Sequence, residues 1–103
     1  MAQYIARVEL HSASYSNYEF LNSQMAQQGF VRTLVGENRT TYQLPTGTYV
    51  LSSNITLQDA LDRAVEAANT TLKSSAVIVA EWTAATWKGL VPVPQGRATP
   101  DSP

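Results

Sequence analysis

Residues 4–11 read Tyr-Ile-Ala-Arg-Val-Glu-Leu-His, and this alternation constrains the chain more than any other stretch. Successive side chains of an extended strand point to opposite faces. Tyr4, Ala6, Val8 and Leu10 therefore share an apolar face, and Ile5, Arg7, Glu9 and His11 share the other. Such a strand asks for a sheet with one packed face and one open face, the usual state of an antiparallel sheet. The open row sets a base, an acid and the one histidine of the chain side by side. Rows of this kind are ordinarily solvated surface, and they are also places where a site can be built.

The rest of the sequence supplies partners for that strand. Ser16 and Glu19 have the S-x-x-E spacing of a capping box and predict a helix over 17–28, with Tyr18, Leu21 and Met25 on one face. Gly29 follows where a left-handed C-terminal residue is expected. The β-branched and apolar run 30–35 predicts a second strand, 36–39 a turn and 40–44 a third strand. Pro45-Thr46-Gly47 breaks the pairing, and 48–51 is extended in composition, either an edge extension or an irregular segment. Thr56 and Asp59 open a second helix whose stripe is Leu57, Ala60, Leu61, Ala64, Val65 and Ala68. Residues 75–82 are apolar on both faces, which predicts a central strand, and 86–93 predict a last one. From Pro94 on, three prolines and no large apolar residue predict a disordered tail, 94–103. The order of elements in 1–93 implies a single α+β domain of the ferredoxin-like βαββαβ type with an extra C-terminal strand. Its antiparallel sheet is covered on one face by the two helices.

Composition excludes several kinds of chemistry. A chain of 103 residues holds one domain of modest core. With no cysteine there is no thiol catalysis, disulfide scaffold or cysteine zinc site. Seven Lys and Arg against eight Asp and Glu give a net charge of -1, too little for strong non-specific binding to phosphate backbones but compatible with a local basic patch. No apolar run follows basic residues near the N-terminus, and none approaches the ~18 residues of a membrane span, so a cytoplasmic protein is expected. The phosphate-binding loop, G-x-G-x-x-G, H-E-x-x-H and G-x-S-x-G are all missing from the sequence.

The residues left to carry chemistry are few. Imidazole is suited to general acid–base work, so His11 is a candidate catalyst. Arg7 offers a fork of donors to a phosphate and its transition state. Glu9 can act as a base. One carboxylate makes a poor metal site, so no cofactor is expected, with a divalent ion left open. Together Arg7, Glu9 and His11 suit phosphodiester cleavage. Arg32 and Arg39 are candidate grips on an RNA backbone, and Tyr42, Tyr49 and Trp87 are candidate stacking platforms for bases. Aromatic residues in strands more ordinarily pack across the sheet.

The segment Tyr4-Ile5-Ala6-Arg7-Val8-Glu9-Leu10-His11, a tyrosine-containing helix start, Met25-x-x-x-Gly29-Phe30-x-Arg32-Thr33 and Thr41-Tyr42-x-Leu44-Pro45 together resemble the GhoS-like family of small bacterial and phage proteins. The similarity spans residues 3–93. It implies a ferredoxin-like fold akin to the small CRISPR-associated nucleases. It also implies an endoribonuclease that acts as the antitoxin of a type V toxin–antitoxin pair by cleaving the messenger RNA of a membrane-lytic toxin. Two departures accompany it. The basic residue expected in the first helix has no counterpart, because residues 17–28 contain no Lys or Arg. The acidic residue that binds metal between subunits in the CRISPR-associated relatives has Glu9 as its nearest match.

Two readings follow. In the first, the protein is a small endoribonuclease, a homodimer whose open sheet faces meet or lie close, with RNA crossing the junction over Arg7, Glu9 and His11, helped by Arg32. In the second, the same surface serves a non-catalytic phage or prophage binding module acting on a host protein or a small nucleotide. Net charge and the bare first helix favour the second reading, and the resemblance favours the first. Neither reading involves a membrane.

Overall fold

A computed structural model describes residues 1–94. The expected tail lies outside the described residues except for Pro94, which is exposed. β1 (Ala2–Leu10) has the alternation its sequence requires: Tyr4, Ala6, Val8 and Leu10 are buried, while Arg7 and Glu9 are exposed. β1 is the middle strand of a three-stranded antiparallel sheet, between β4 (Thr48–Ser53) and β5 (Ser75–Glu81). Ala6 stands opposite Tyr49 on one side and Val79 on the other, and Arg7 stands opposite Thr48 and Ile78.

The helices α1 (Tyr15–Gln27) and α2 (Leu57–Asn69) cover the face of the sheet that carries Tyr4, Ala6, Val8 and Leu10. Leu21 and Met25 of α1 and four alanines of α2, Ala60, Ala64, Ala67 and Ala68, meet β1, Tyr49 and Leu51 in one core. Alanine at each of these positions brings the α2 backbone close to the sheet. The tyrosines in this core keep their hydroxyls bonded, as burial demands. Tyr4 donates to the Ile55 carbonyl at 2.5 Å and Tyr49 to Asn22 Oδ1 at 2.6 Å. Tyr18 Oη accepts from the Leu10 amide at 2.9 Å, which caps a donor at the end of β1.

The α+β, ferredoxin-like expectation holds, with four local differences. The N-cap of α1 is Ser14, with Asn17 as its reciprocal partner, and not Ser16 with Glu19. An amide side chain closes the box as well as a carboxylate does. Thr56 with Asp59 does cap α2 as expected. The strand that joins the main sheet after the first helix is β4, which takes in the stretch 48–51 that its sequence left undecided and runs on to Ser53. β2 (Thr33–Val35) and β3 (Thr41–Gln43) instead form a separate two-stranded hairpin, attached to β4 through one bridge between Val31 and Val50. β5 lies at the sheet edge and not at its centre. Its outer-face residues are apolar without being covered, so apolarity on both faces did not signal a central position here. The extra C-terminal strand expected over 86–93 shrinks to a bridge between Pro92 and Tyr42, flanked by the Gln43 amide donating to the Val91 carbonyl and the Val93 amide to the Thr41 carbonyl. Proline cannot donate to a ladder, which limits strand formation there. No helix among the described residues is long and apolar enough to cross a membrane.

Candidate active site on the open sheet face

β1 ends where the candidate chemistry begins. Ile5, Arg7 and Glu9 stand on the face away from the helices, about 6.7 Å apart from one to the next as the pleat requires. His11 follows directly after β1, its amide bonded to the Ser74 carbonyl at 2.9 Å. This bond extends the β1–β5 ladder one step and holds the imidazole at the sheet end.

The side chains divide into two groups. His11 Nε2 lies 3.8 Å from Glu9 Oε1, both about half exposed (49% and 62%). His11 Nδ1 lies 3.0 Å from Ser74 Oγ. Ser74 Oγ is within hydrogen-bond distance of Nδ1, whereas Glu9 is beyond it and stands beside Nε2 as a nearby charge. Arg7 turns the other way. Its Nη1 donates to the carbonyls of Val8 at 3.3 Å and Thr46 at 3.4 Å, over the turn that leads into β4. Gly47 makes room for it: a Cβ there would lie 2.5 Å from both Arg7 Nη1 and the Val8 carbonyl oxygen, and Gly47 has a φ of +82°. Arg7 and Glu9 still border one shallow depression, floored by Ala76 and Ile78 of β5.

The remaining candidates lie elsewhere. Arg32 is on the opposite side from Val31, the residue that bridges to the open-face Val50, and so points toward α1. With the Gln43 amide oxygen facing it, Arg32 places Nη1 and Nη2 3.0 and 3.1 Å from that oxygen. Its charge lowers the Tyr15 and Tyr49 hydroxyl pKa values, against larger opposing causes. A hydrogen bond to Glu19 and the Glu19 charge raise Tyr15, and burial pushes Tyr49 up to about 12. Arg39 sits in the β2–β3 turn with a φ of 65°. Tyr42 packs on Trp87 with ring centroids 5.4 Å apart and planes at 58°, beside Asn38, whose Nδ2 donates to Tyr42 Oη at 3.2 Å. These two rings border an open cleft with Gly36 and Glu37. Tyr49 is fully buried and has no face to offer a base.

The structure thus gathers Glu9 and His11, keeps Arg7 on the same face, and sets Arg32, Arg39 and Tyr42 apart from them. Ser74 is the residue that sequence reading missed. It is 63 positions from His11, and only the register of β5 against β1 brings the two together. A divalent ion would find one carboxylate and one imidazole here, short of the oxygen shell a hard cation takes. Among the described residues no three His, Cys, Asp or Glu side chains converge.

One exposed face thus carries a carboxylate, an imidazole and a guanidinium, groups able to accept a proton, to give one and to bind an anion. No individual curated protein matches this chain. The family model described as endoribonuclease GhoS matches residues 1–89, which takes in the whole sheet, both helices and every candidate residue discussed above. The chain belongs to the endoribonuclease GhoS family.

Proposed function

We propose that this protein is an antitoxin-type endoribonuclease that cuts messenger RNA at the Glu9–His11 end of β1. The observation that carries this reading is the pairing of Glu9 and His11 across 3.8 Å on an open sheet face, in a chain of an endoribonuclease family. Glu9, as carboxylate, takes the proton of a ribose 2′-hydroxyl. The 2′-oxygen attacks the adjacent phosphorus, and the bond from phosphorus to the 5′-oxygen breaks. His11, as imidazolium, gives its proton to that leaving oxygen, so the products are a 2′,3′-cyclic phosphate and a 5′-hydroxyl. Arg7 meets the charge that builds on the non-bridging oxygens as the phosphorus becomes five-coordinate. Ser74 orients the imidazole through Nδ1. Tyr42 and Trp87 offer flanking bases an aromatic surface, and Arg39 stands on the same hairpin.

The test is cleavage of a mixed RNA by the purified chain, with and without magnesium, beside Arg7→Ala, Glu9→Ala and His11→Ala. Loss of the general acid or base should slow cutting by about 10²–10⁴-fold. Mass spectrometry should find cyclic-phosphate ends. Equal cutting by all four proteins would remove β1 as the site. Absence of cutting by the wild type on any RNA would favour the binding-module reading, which the net charge of -1 suits better than it suits a nuclease.

A further inference from the structure

The open sheet face carries a second concave site, at the end of β1 remote from Glu9 and His11. A cleft of about 360 Å³ lies where residues 31–35 part from β4, and Gln3 and Trp82 border it as well. Val31, Val35 and Val50 give it apolar walls, and the first two are exposed. Clefts of this size with apolar walls and a few polar groups are the usual form of a small-ligand site. The Trp82 amide bonds to the Gln3 carbonyl at 2.9 Å, which continues the β1–β5 ladder and sets Trp82 on the open face beside Gln3. Its indole Nε1 is buried and has no hydrogen-bond partner among the described residues. Buried donors are nearly always bonded, and this N–H is the one polar group an indole has. Arg32 Nε is also unpartnered, but the Nη atoms of Arg32 meet Gln43. We propose that the cleft binds one unpaired base of an RNA strand that runs along β1 from Glu9, with Trp82 Nε1 donating to a carbonyl oxygen or ring nitrogen of that base. This rests on the RNA reading above and adds to it a contact that selects the base.

Backbone groups of β4 face the same cleft. Val31 and Val50 exchange amide–carbonyl bonds at 2.8 Å, so Val50 turns its backbone away from β1, and so does Ser52 two residues on. No strand meets Ser52 there, because the Gly29 and Phe30 amides bond to the Ala26 and Met25 carbonyls at the end of α1. The outward amide and carbonyl of Ser52 are left to the cleft that it borders. The cleft therefore offers a donor and an acceptor from Ser52 and a donor from Trp82, between apolar walls. An added peptide strand needs a run of main-chain bonds. Past the Val31 bridge only Ser52 of β4 faces outward, since Ser53 pairs with Ala2. One residue suits the edge of a base, which holds a few polar atoms, and the valines and the indole suit its flat faces. The position fits an RNA occupant too. Gln3 stands on the same row as Glu9, about 20 Å away by strand rise, with Ile5 and Arg7 between them. A strand cut beside Glu9 and held by Arg7 reaches the cleft a few nucleotides from the cut. Duplex RNA keeps its bases paired, so the substrate of this site is single-stranded.

The test uses uncleavable 2′-O-methyl RNA of about eight nucleotides, so that binding is read without cutting. In Trp87→Phe, Trp82 is the single tryptophan of the chain. This RNA should quench its fluorescence, while a dinucleotide at equal concentration should not. In the otherwise unaltered chain, Trp82→Phe keeps a ring and removes the N–H. It should weaken binding of labelled RNA about five- to tenfold, the worth of one hydrogen bond, and lose base preference at one position. Its Tm should be unchanged or higher, because the N–H has no partner in the free protein. Ser52→Trp, at an exposed position, should fill the cleft and give the same loss, which keeps the test decisive if Trp82→Phe fails to fold. RNA that binds without quenching Trp82, or that binds both variants as it binds the wild type, would overturn the proposal and leave the cleavage reading standing. Quenching of Trp82 in a chain that cuts no RNA would uphold the cleft and remove the cleavage reading. Absence of any binding would overturn both.

Discussion

The Val8 amide donates to the Gly47 carbonyl at 2.7 Å, and Gly47 in turn has no room for a side chain against the Val8 carbonyl. This close approach ties the turn before β4 to β1 and leaves the space in which Arg7 lies across Thr46. Gly47→Ala places a Cβ 2.5 Å from a backbone oxygen at a positive φ. It should cost at least about 1–3 kcal/mol, lowering Tm by about 4–8 °C for each kcal/mol in a domain of this size. RNA cleavage by the folded fraction should fall as well, because Arg7 loses its seat. An unchanged Tm would show that the turn relaxes freely.

Ser74→Ala removes the hydroxyl at His11 Nδ1 from an exposed position. Stability should stay within about 0.5 kcal/mol of wild type. The cleavage rate should drop by about fivefold, the worth of one hydrogen bond of about 1 kcal/mol, with a displaced pH–rate profile. A rate loss without any movement of that profile would speak against a role through the imidazole.

Tyr49 links stability to alkaline pH. Burial raises its hydroxyl from 10.0 to about 12 in the folded chain, so the unfolded chain releases this proton first. The contribution is complete below pH 10 and is lost as pH rises from 10 to 12, amounting to up to about 2 kcal/mol. Burial also raises Tyr4, with Glu81 and then Asp59 adding to it, in the same direction. In urea titrations, Tyr49→Phe should lose about 1 kcal/mol at pH 7, from its bond to Asn22, and decline less steeply above pH 10. A parallel decline would exclude Tyr49 as the linked group.

The capping residues make a stability test separate from function. Ser14→Ala and Thr56→Ala each remove a side chain that accepts from the third residue of a helix, Asn17 or Asp59, at a cost of about 1 kcal/mol each. Ser16→Ala should cost only a few tenths. Equal losses at Ser14 and Ser16 would contradict the position of the cap.

Trp87→Ala and Tyr42→Ala should weaken RNA retention by about 1–3 kcal/mol per lost stacking partner, while Tyr42→Phe, which keeps the ring, should not. Losses of equal size in RNA retention and in Tm for all three would mark the pair as packing only.

The sequence by itself determined the faces of β1, the apolar stripe of α2 with its cap at Thr56, the left-handed Gly29 and the α+β class, because each rests on local periodicity or on a single residue's backbone preference. It also placed Arg7, Glu9 and His11 on one face, since period-two alternation needs no partner to be read. It could not decide strand order. Thr48–Ser53 joins β1 and 41–43 does not, because that choice depends on where Gly47 and Val8 meet and on the bridge at Val31. Apolar residues on both faces of β5 resemble burial in a one-dimensional reading, and only the assembled sheet shows an uncovered edge. The Ser74–His11 contact, the turning of Arg7 away from Glu9 and the placement of Arg32 toward α1 are likewise tertiary decisions. They follow from register and crowding between segments tens of residues apart, and no local pattern encodes those.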